Sequence, residues 1–233
     1  MHKVAIIVAG GKGERMGAKT PKQFLELDGK PILMHTLEKF KKAVPTIEII
    51  LALPENQIDF WEELFHKYQL PKVRHQIVKG GQTRFHSVQN ALKLVKENSI
   101  VAIHDGVRPL VSEETINNCF TEAEKNGNAI PVVEVVDSLR HYSKQEKTNE
   151  AVSRSCYRIV QTPQCFTSEV ILKAYQQEFD KLFTDDATVL EKFGETINLV
   201  AGNRENIKIT TTEDLIIAEA FIRKTRQKNR HLS

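Results

Sequence analysis

Hydrophobic and polar positions along this chain follow two periods in turn, and their order predicts the architecture. Residues 4–8 (VAIIV) are an unbroken β-branched and alanine-rich run, the pattern of a strand buried on both faces. Further strands are predicted at 47–53, 73–78, 99–104 and 129–136; the last contains Pro131, which suits a sheet edge or a bulge. Between them the spacing lengthens to that of a helix. Residues 31–40 put Ile32, Leu33, Leu37 and Phe40 on one face behind a first-turn proline, and 58–68, 83–96 and 113–126 repeat that period. Strands separated by helices of this length imply an α/β fold, a three-layer αβα sandwich on a mostly parallel sheet.

The pattern changes at 137–157, DSLRHYSKQEKTNEAVSRSCY, which is polar and alternates weakly on either side of 144–149. It reads as a protruding β-hairpin arm. Leu139, Tyr142, Val152 and Tyr157 give it apolar faces but no core of its own, so a second copy of the chain is the natural support. Helices are expected at 168–180 and from a Thr184-Asp185-Asp186 cap to 193, with short strands at 196–200 and 206–210. A closing helix at 211–226 turns Leu215, Ile216, Ala218, Phe221 and Ile222 inward. No repeat interrupts residues 1–233, which read as one domain.

Composition narrows the class. With 40% hydrophobic and 27% charged residues, and no apolar run near the roughly 18 residues of a membrane span, the chain reads as an ordinary globular protein of the cytoplasm with no membrane partner. A net charge of +3 is too slight for a nucleic-acid binder, and three scattered cysteines without a CxxC pair support neither a disulfide framework nor a zinc site. The basic run at 223–230 suits a solvated last helical turn.

Candidate chemistry begins where the first strand ends. Ala9, Gly10, Gly11 and Gly13 let backbone N–H groups approach an anion, and Lys12, Arg15, Lys19 and Lys22 surround them with positive charge, although a plain turn with solvated lysines has the same composition. The spacing satisfies neither the Walker A loop nor the dinucleotide fingerprint. Asp105, at the carboxyl end of a parallel strand, is placed to hold a divalent metal or a sugar hydroxyl in the pocket that the glycine loop also faces. His104 either orients it or packs. Lys208 points opposite to Ile207 and Ile209. Asp185 and Asp186 could be paired carboxylates, but capping and helix-dipole charge are the preferred reading.

Taken in order, GGKGERMG…PKQF, GG…R…S, HDGVRPL, VVDSLR, QTPQ, TDDA and NIKIT resemble the 2-C-methyl-D-erythritol 4-phosphate cytidylyltransferases over nearly the whole chain. The resemblance implies a Rossmann-like nucleotidyltransferase fold, a homodimer with exchanged β-arms, and transfer of CMP from CTP to a sugar-alcohol phosphate with Mg²⁺. Residue by residue, it implies that Arg15 and Lys22 stabilise the transition state and that Lys208 meets the α-phosphate. It makes Ala9, Gly10, Gly11 and Gly13 the triphosphate cradle, Gly81 and Ser87 the contacts to cytosine and ribose, and Asp105 and Gly106 part of the nucleotide and metal site. Arg108, Thr162 and Thr184, with Ser138 and Arg154 of a partner's arm, match the acceptor pocket. Ser138 stands where threonine is usual, Gln82 where an acidic or small polar residue is, and Gly106 where alanine or serine is. Ribitol-5-phosphate cytidylyltransferases are similar in the same motifs, so the alternative acceptor is ribitol phosphate; a non-catalytic nucleotide-sensing module on the same scaffold is the alternative outside catalysis, and Arg15, Lys22 and Lys208 together speak against it.

Overall fold

The structure is a computed structural model that describes residues 1–10, 20–68 and 73–230. Strand β1 (His2–Val8) is followed by a 3₁₀ turn at Lys22–Phe24, the short strands β2 (Glu26–Leu27) and β3 (Lys30–Pro31), helix α1 (Ile32–Ala43), β4 (Glu48–Leu53), α2 (Ile58–Lys67), β5 (Gln76–Lys79) and α3 (Arg84–Leu92). Next come β6 (Ser99–Asp105), α4 (Glu113–Asn126), β7 (Asn128–Glu134), the hairpin β8 (Leu139–Ser143) and β9 (Thr148–Val152), then β10 (Arg158–Val160) and β11 (Gln164–Thr167). The chain closes with α5 (Ser168–Ala174), α6 (Asp186–Phe193), β12 (Leu199–Ala201) and α7 (Thr212–Arg230).

The described residues form an eight-stranded sheet in the order β10-β7-β11-β6-β1-β4-β5, with β12 beside β7. β5, β4, β1 and β6 run parallel, whereas β11 is antiparallel to both β6 and β7. The period-two geometry of β1 divides the core in two. Ala5 and Ile7 join Leu33, Leu37 and Phe40 of α1, Trp61 of α2 and Phe120 of α4 on one face. Val4, Ile6 and Val8 join Phe85 and Val88 of α3, Ile171 of α5 and Leu190 of α6 on the other. This is the expected three-layer αβα arrangement on a mixed, mostly parallel sheet, and β8–β9 forms the separate hairpin arm expected at 137–157.

Several expected boundaries move. The strand expected at 73–78 starts at Gln76, because the His75 ring turns to the Val73 carbonyl (3.0 Å) and the Trp61 indole donates to it (3.0 Å). The helices expected at 83–96 and 168–180 end at Leu92 and Ala174. The 129–136 strand stops at Glu134, and Pro131 lies inside the sheet, beside the break between β10 and β11, where its carbonyl still accepts from Gln161 N–H (2.8 Å). The strand at 196–200 shifts to Leu199–Ala201. Residues 206–210 are not a strand; Ile209 N–H reaches the Val107 carbonyl (2.9 Å), but no ladder develops. On α7, Ile216 faces solvent at 64% exposure instead of inward.

Candidate active site

The carboxyl ends of β1, β5 and β6 meet at a pocket of about 280 Å³ lined by Ala9, Gly10, Lys22, Gln23, Gly81, Thr83, Arg84, Ser87, Asp105 and Lys208 among others. The backbone builds its walls. Ala9 N–H donates to the Ala52 carbonyl (3.0 Å) and Gly106 N–H to Val8 (2.9 Å), which ties the first loop to β4 and to the end of β6. Ser87 Oγ accepts from Gly81 N–H (3.0 Å) and donates to the Thr83 carbonyl (3.0 Å), so the hydroxyl locks the Gly80–Gly81 turn to the start of α3. A Cβ on Gly81 would lie 2.3 Å from that of His86, and one on Gly106 would lie 3.0 Å from Ala9 Cβ and Leu33 Cδ1. Close approach, rather than a left-handed backbone, makes these positions glycine.

Three cations converge on Asp105. Lys208 Nζ lies 3.0 Å and Arg108 Nε 3.2 Å from Oδ2, and Arg84 Nε lies 3.5 Å from Oδ1. Burial alone would raise this carboxyl's pKa, but Arg84, Lys208 and Arg108 outweigh it and hold the group well below the usual carboxylate range. Asp105 is therefore a permanent anion ringed by positive charge. Arg108 is braced from behind, its Nη1 donating to the Asn206 carbonyl (2.8 Å) two residues before Lys208.

Arg84, the arginine of GG…R…S, is a site residue to which the sequence reading gives no role. Its guanidinium grips Asp186 with both terminal nitrogens, at 2.7 and 2.6 Å, and Tyr175 Oη donates to the same carboxylate at 2.6 Å. The capping reading holds for Asp185, and Asp186, in the first turn, has a further role. Asp185 alone is the N-cap of α6, accepting from Thr188 N–H (2.9 Å), while Asp186 is fully buried and carries an ion pair; Thr184, expected in the cap, stays exposed in front of it. The partners lie 102 residues apart, so only the pattern of a lone arginine behind a glycine pair hinted at it.

His104 resolves as a packed residue. It is fully buried, edge-on to Phe40 with ring centroids 4.9 Å apart, and burial drops its pKa to about 4. The neutral ring completes a chain: Asp105 N–H donates to Thr162 Oγ1 (3.1 Å), which donates to His104 Nδ1 (3.0 Å), while Nε2–H donates to the Arg108 carbonyl (3.1 Å). Thr162 is thus buried beside the pocket with its hydroxyl committed to the Asp105 backbone.

The remaining predicted residues divide in two. Lys22, Lys208, Ala9, Gly10, Gly81, Ser87 and Asp105 line one pocket, with Gly106 and Arg108 directly behind Asp105. Ser138 and Arg154 lie on the arm, exposed and outside that lining, with Arg154 donating to the Val136 carbonyl. Gly11, Gly13 and Arg15 fall outside the described residues, as do Lys12 and Lys19. No cluster of three or more His, Cys, Asp or Glu occurs among the described residues, and Asp105 is the acidic side chain of the pocket lining. One carboxylate suits a hard divalent cation whose other ligands are phosphate oxygens and water.

The pocket lies over the strand ends of a three-layer αβα sheet with Lys22, Arg84 and Lys208 in its lining, a place and a charge that suit a phosphate-bearing ligand. Residues 3–224 match the model of one family, described as 2-C-methyl-D-erythritol 4-phosphate cytidylyltransferase, and the chain belongs to that family. The enzyme of that name from Bacteroides fragilis is 52% identical over 222 residues, covering 95% of this chain and 100% of its own. Among solved structures, the 4-diphosphocytidyl-2C-methyl-D-erythritol synthase of Anaerococcus prevotii superposes with a TM-score of 0.80 at 31% identity, covering 95% of this chain and 96% of its own. The 2-C-methyl-D-erythritol 4-phosphate cytidylyltransferase of Thermus thermophilus gives 0.76 at 30%, covering 96% and 100%.

Proposed function

We propose that this protein transfers CMP from CTP to 2-C-methyl-D-erythritol 4-phosphate, forming the cytidine diphosphate diester and releasing pyrophosphate. The observation that carries the reading is the convergence of Lys22, Lys208, Arg84 and Asp105 with the Ala9–Gly10 and Gly81 backbone in one pocket. A phosphate monoester is largely dianionic near pH 7, its second pKa being about 6, so an acceptor oxygen can attack the α-phosphorus without a general base. His104, buried and neutral, is not needed as one. The new O–P bond forms as the bond from the α-phosphorus to the bridging oxygen breaks, and the electron pair leaves with pyrophosphate.

The site's work is then alignment and charge. Lys22 and Lys208 supply positive charge to the reacting phosphates, joined by Arg15 on the strength of the family resemblance. Asp105 would hold Mg²⁺, which when bound offsets the charge of the triphosphate and the departing pyrophosphate. On the strength of the family resemblance Arg108, Thr162 and Thr184 serve the acceptor, and Thr162 also keeps Asp105 in place. Ser138 and Arg154 reach a pocket only from a second copy, which favours a homodimer with exchanged 137–157 arms on a single 1–233 domain. Exposed Val136, Tyr142, Tyr157 and Ile159 on and beside the arm support that partner. A sedimentation mass near twice 26.5 kDa checks it, and a monomer would remove the arm residues from the site. No helix among the described residues is long and apolar enough to cross a membrane, in keeping with work in the cytoplasm.

The name carried by the family model and by the relatives favours methylerythritol phosphate over ribitol 5-phosphate as acceptor. A screen of pyrophosphate release over sugar-alcohol phosphates tests this. Release is expected with CTP, Mg²⁺ and methylerythritol phosphate; release with ribitol 5-phosphate in its place would reassign the acceptor, and release with neither would remove the function.

A further inference from the structure

Between Lys22 and the core lies Gln23, a polar side chain with no exposed surface that nonetheless lines the pocket. Its Nε2 donates both hydrogens, one to the Ala9 carbonyl (2.9 Å) and one to Gln57 Oε1 (2.6 Å). Among the described residues its own Oε1 is buried without a partner. The reverse amide orientation would set that oxygen against two acceptors, so the bonds fix the side chain in this pose. The next residue, Phe24, is seated between Phe60 (ring centroids 5.4 Å apart) and Trp61 (6.0 Å, stacked).

The turn carrying Lys22 is therefore pinned twice, to the mouth of the glycine loop and to the start of α2. A residue serving the core alone would not leave an unpaired buried carbonyl beside the pocket. We infer that Gln23 is a positioning residue of the transfer reaction: it presents Lys22 to the reacting phosphates and holds the first carbonyl of the phosphate cradle. The inference rests on the pocket being the CMP-transfer site. Misplacing a reacting or charge-stabilising group by about 1 Å costs on the order of 10²-fold in rate, and that is the scale expected here.

The test is Gln23→Met, which keeps volume and loses both bonds, alongside Gln57→Ala, which removes only the outer anchor from a half-buried position. With CTP, Mg²⁺ and methylerythritol phosphate, kcat is expected to fall about 10- to 100-fold in the first and about 3- to 10-fold in the second, with the acceptor KM moving less than about threefold. Inorganic tripolyphosphate, titrated calorimetrically, should bind Gln23→Met at least about fivefold more weakly, which reads the cradle without the acceptor. If Gln23→Met does not fold, Gln57→Ala decides. Wild-type kcat and tripolyphosphate affinity in every folded variant, or a rate loss that follows only the unfolded fraction, would overturn the role. Inactive wild-type protein would instead remove the proposed function, and tripolyphosphate binding would still judge Gln23.

Discussion

Burial of His104 writes a pH dependence into the fold. Its pKa falls from 6.5 to about 4 in the native state, so between those values the unfolded chain binds the extra proton and stability declines as pH drops. Above 6.5 its contribution is complete; by pH 4 the loss is about 3 kcal/mol. Asp105, held below the usual carboxylate range, adds a further loss only below about 3.8. Unfolding midpoints in urea should therefore be flat from pH 8 to 7 and fall from 6.5 to 4, and His104→Gln should make that fall shallower, the remainder coming from His35 and His75, whose pKa burial also lowers. An unchanged slope in the variant would place the titration elsewhere. His104 could not be assigned from sequence, where an imidazole beside an aspartate at a strand end fits both orienting and packing; its burial against Phe40 and its bonds to Thr162 and the Arg108 carbonyl decide it.

Among the elements, α3 and α6 are joined across the sheet's end by the Arg84–Asp186 pair, closed by Tyr175 and stacked behind by Phe85 on the Tyr175 ring, with centroids 4.7 Å apart. Removing one partner of a buried ion pair strands the other. Asp186→Asn should destabilise by about 3 kcal/mol, the lower end of the range because Arg84 remains 27% exposed, and urea unfolding reads it. Arg84→Met with Asp186→Leu should recover much of that stability without restoring turnover, since the contact to Asp105 is gone. Full activity in the double variant would reduce the pair to a structural brace. Elements with long periodic patterns were legible: β1, α1, β4, α2 and α4 lie where their apolar spacing put them. The β2–β3 hairpin was missed although Asp28-Gly29, both at positive φ (53° and 82°), is the two-residue turn signal. Residues 206–210 alternate like a strand, yet with Lys208 drawn to Asp105 and Ile209 bonded only to Val107 they form none.

For the whole molecule, a parallel sheet brings loops from distant segments to one edge, which is why the glycine loop and Asp105 could be placed at one pocket before any distance was known, while Gly81 and Lys208 joined them only through the family resemblance. What alternation and motif spacing could not supply were contacts at long range: the 102-residue reach of Arg84 to Asp186, and the 34-residue reach of Gln23 to Gln57. Ser138 and Arg154, proposed above for the acceptor, sit on an arm outside the pocket lining of their own chain. The central claim is that this pocket catalyses CMP transfer by positive charge at Lys22 and its neighbours. It is tested most directly by the steady-state formation of the cytidine diphosphate diester from CTP, Mg²⁺ and methylerythritol phosphate, measured on the wild-type protein and on Lys22→Ala. The expected result is turnover by the first and a rate on the order of 10²–10³ lower in the second, at an unchanged unfolding midpoint. Wild-type rates in Lys22→Ala, or no diester from either protein, would contradict it.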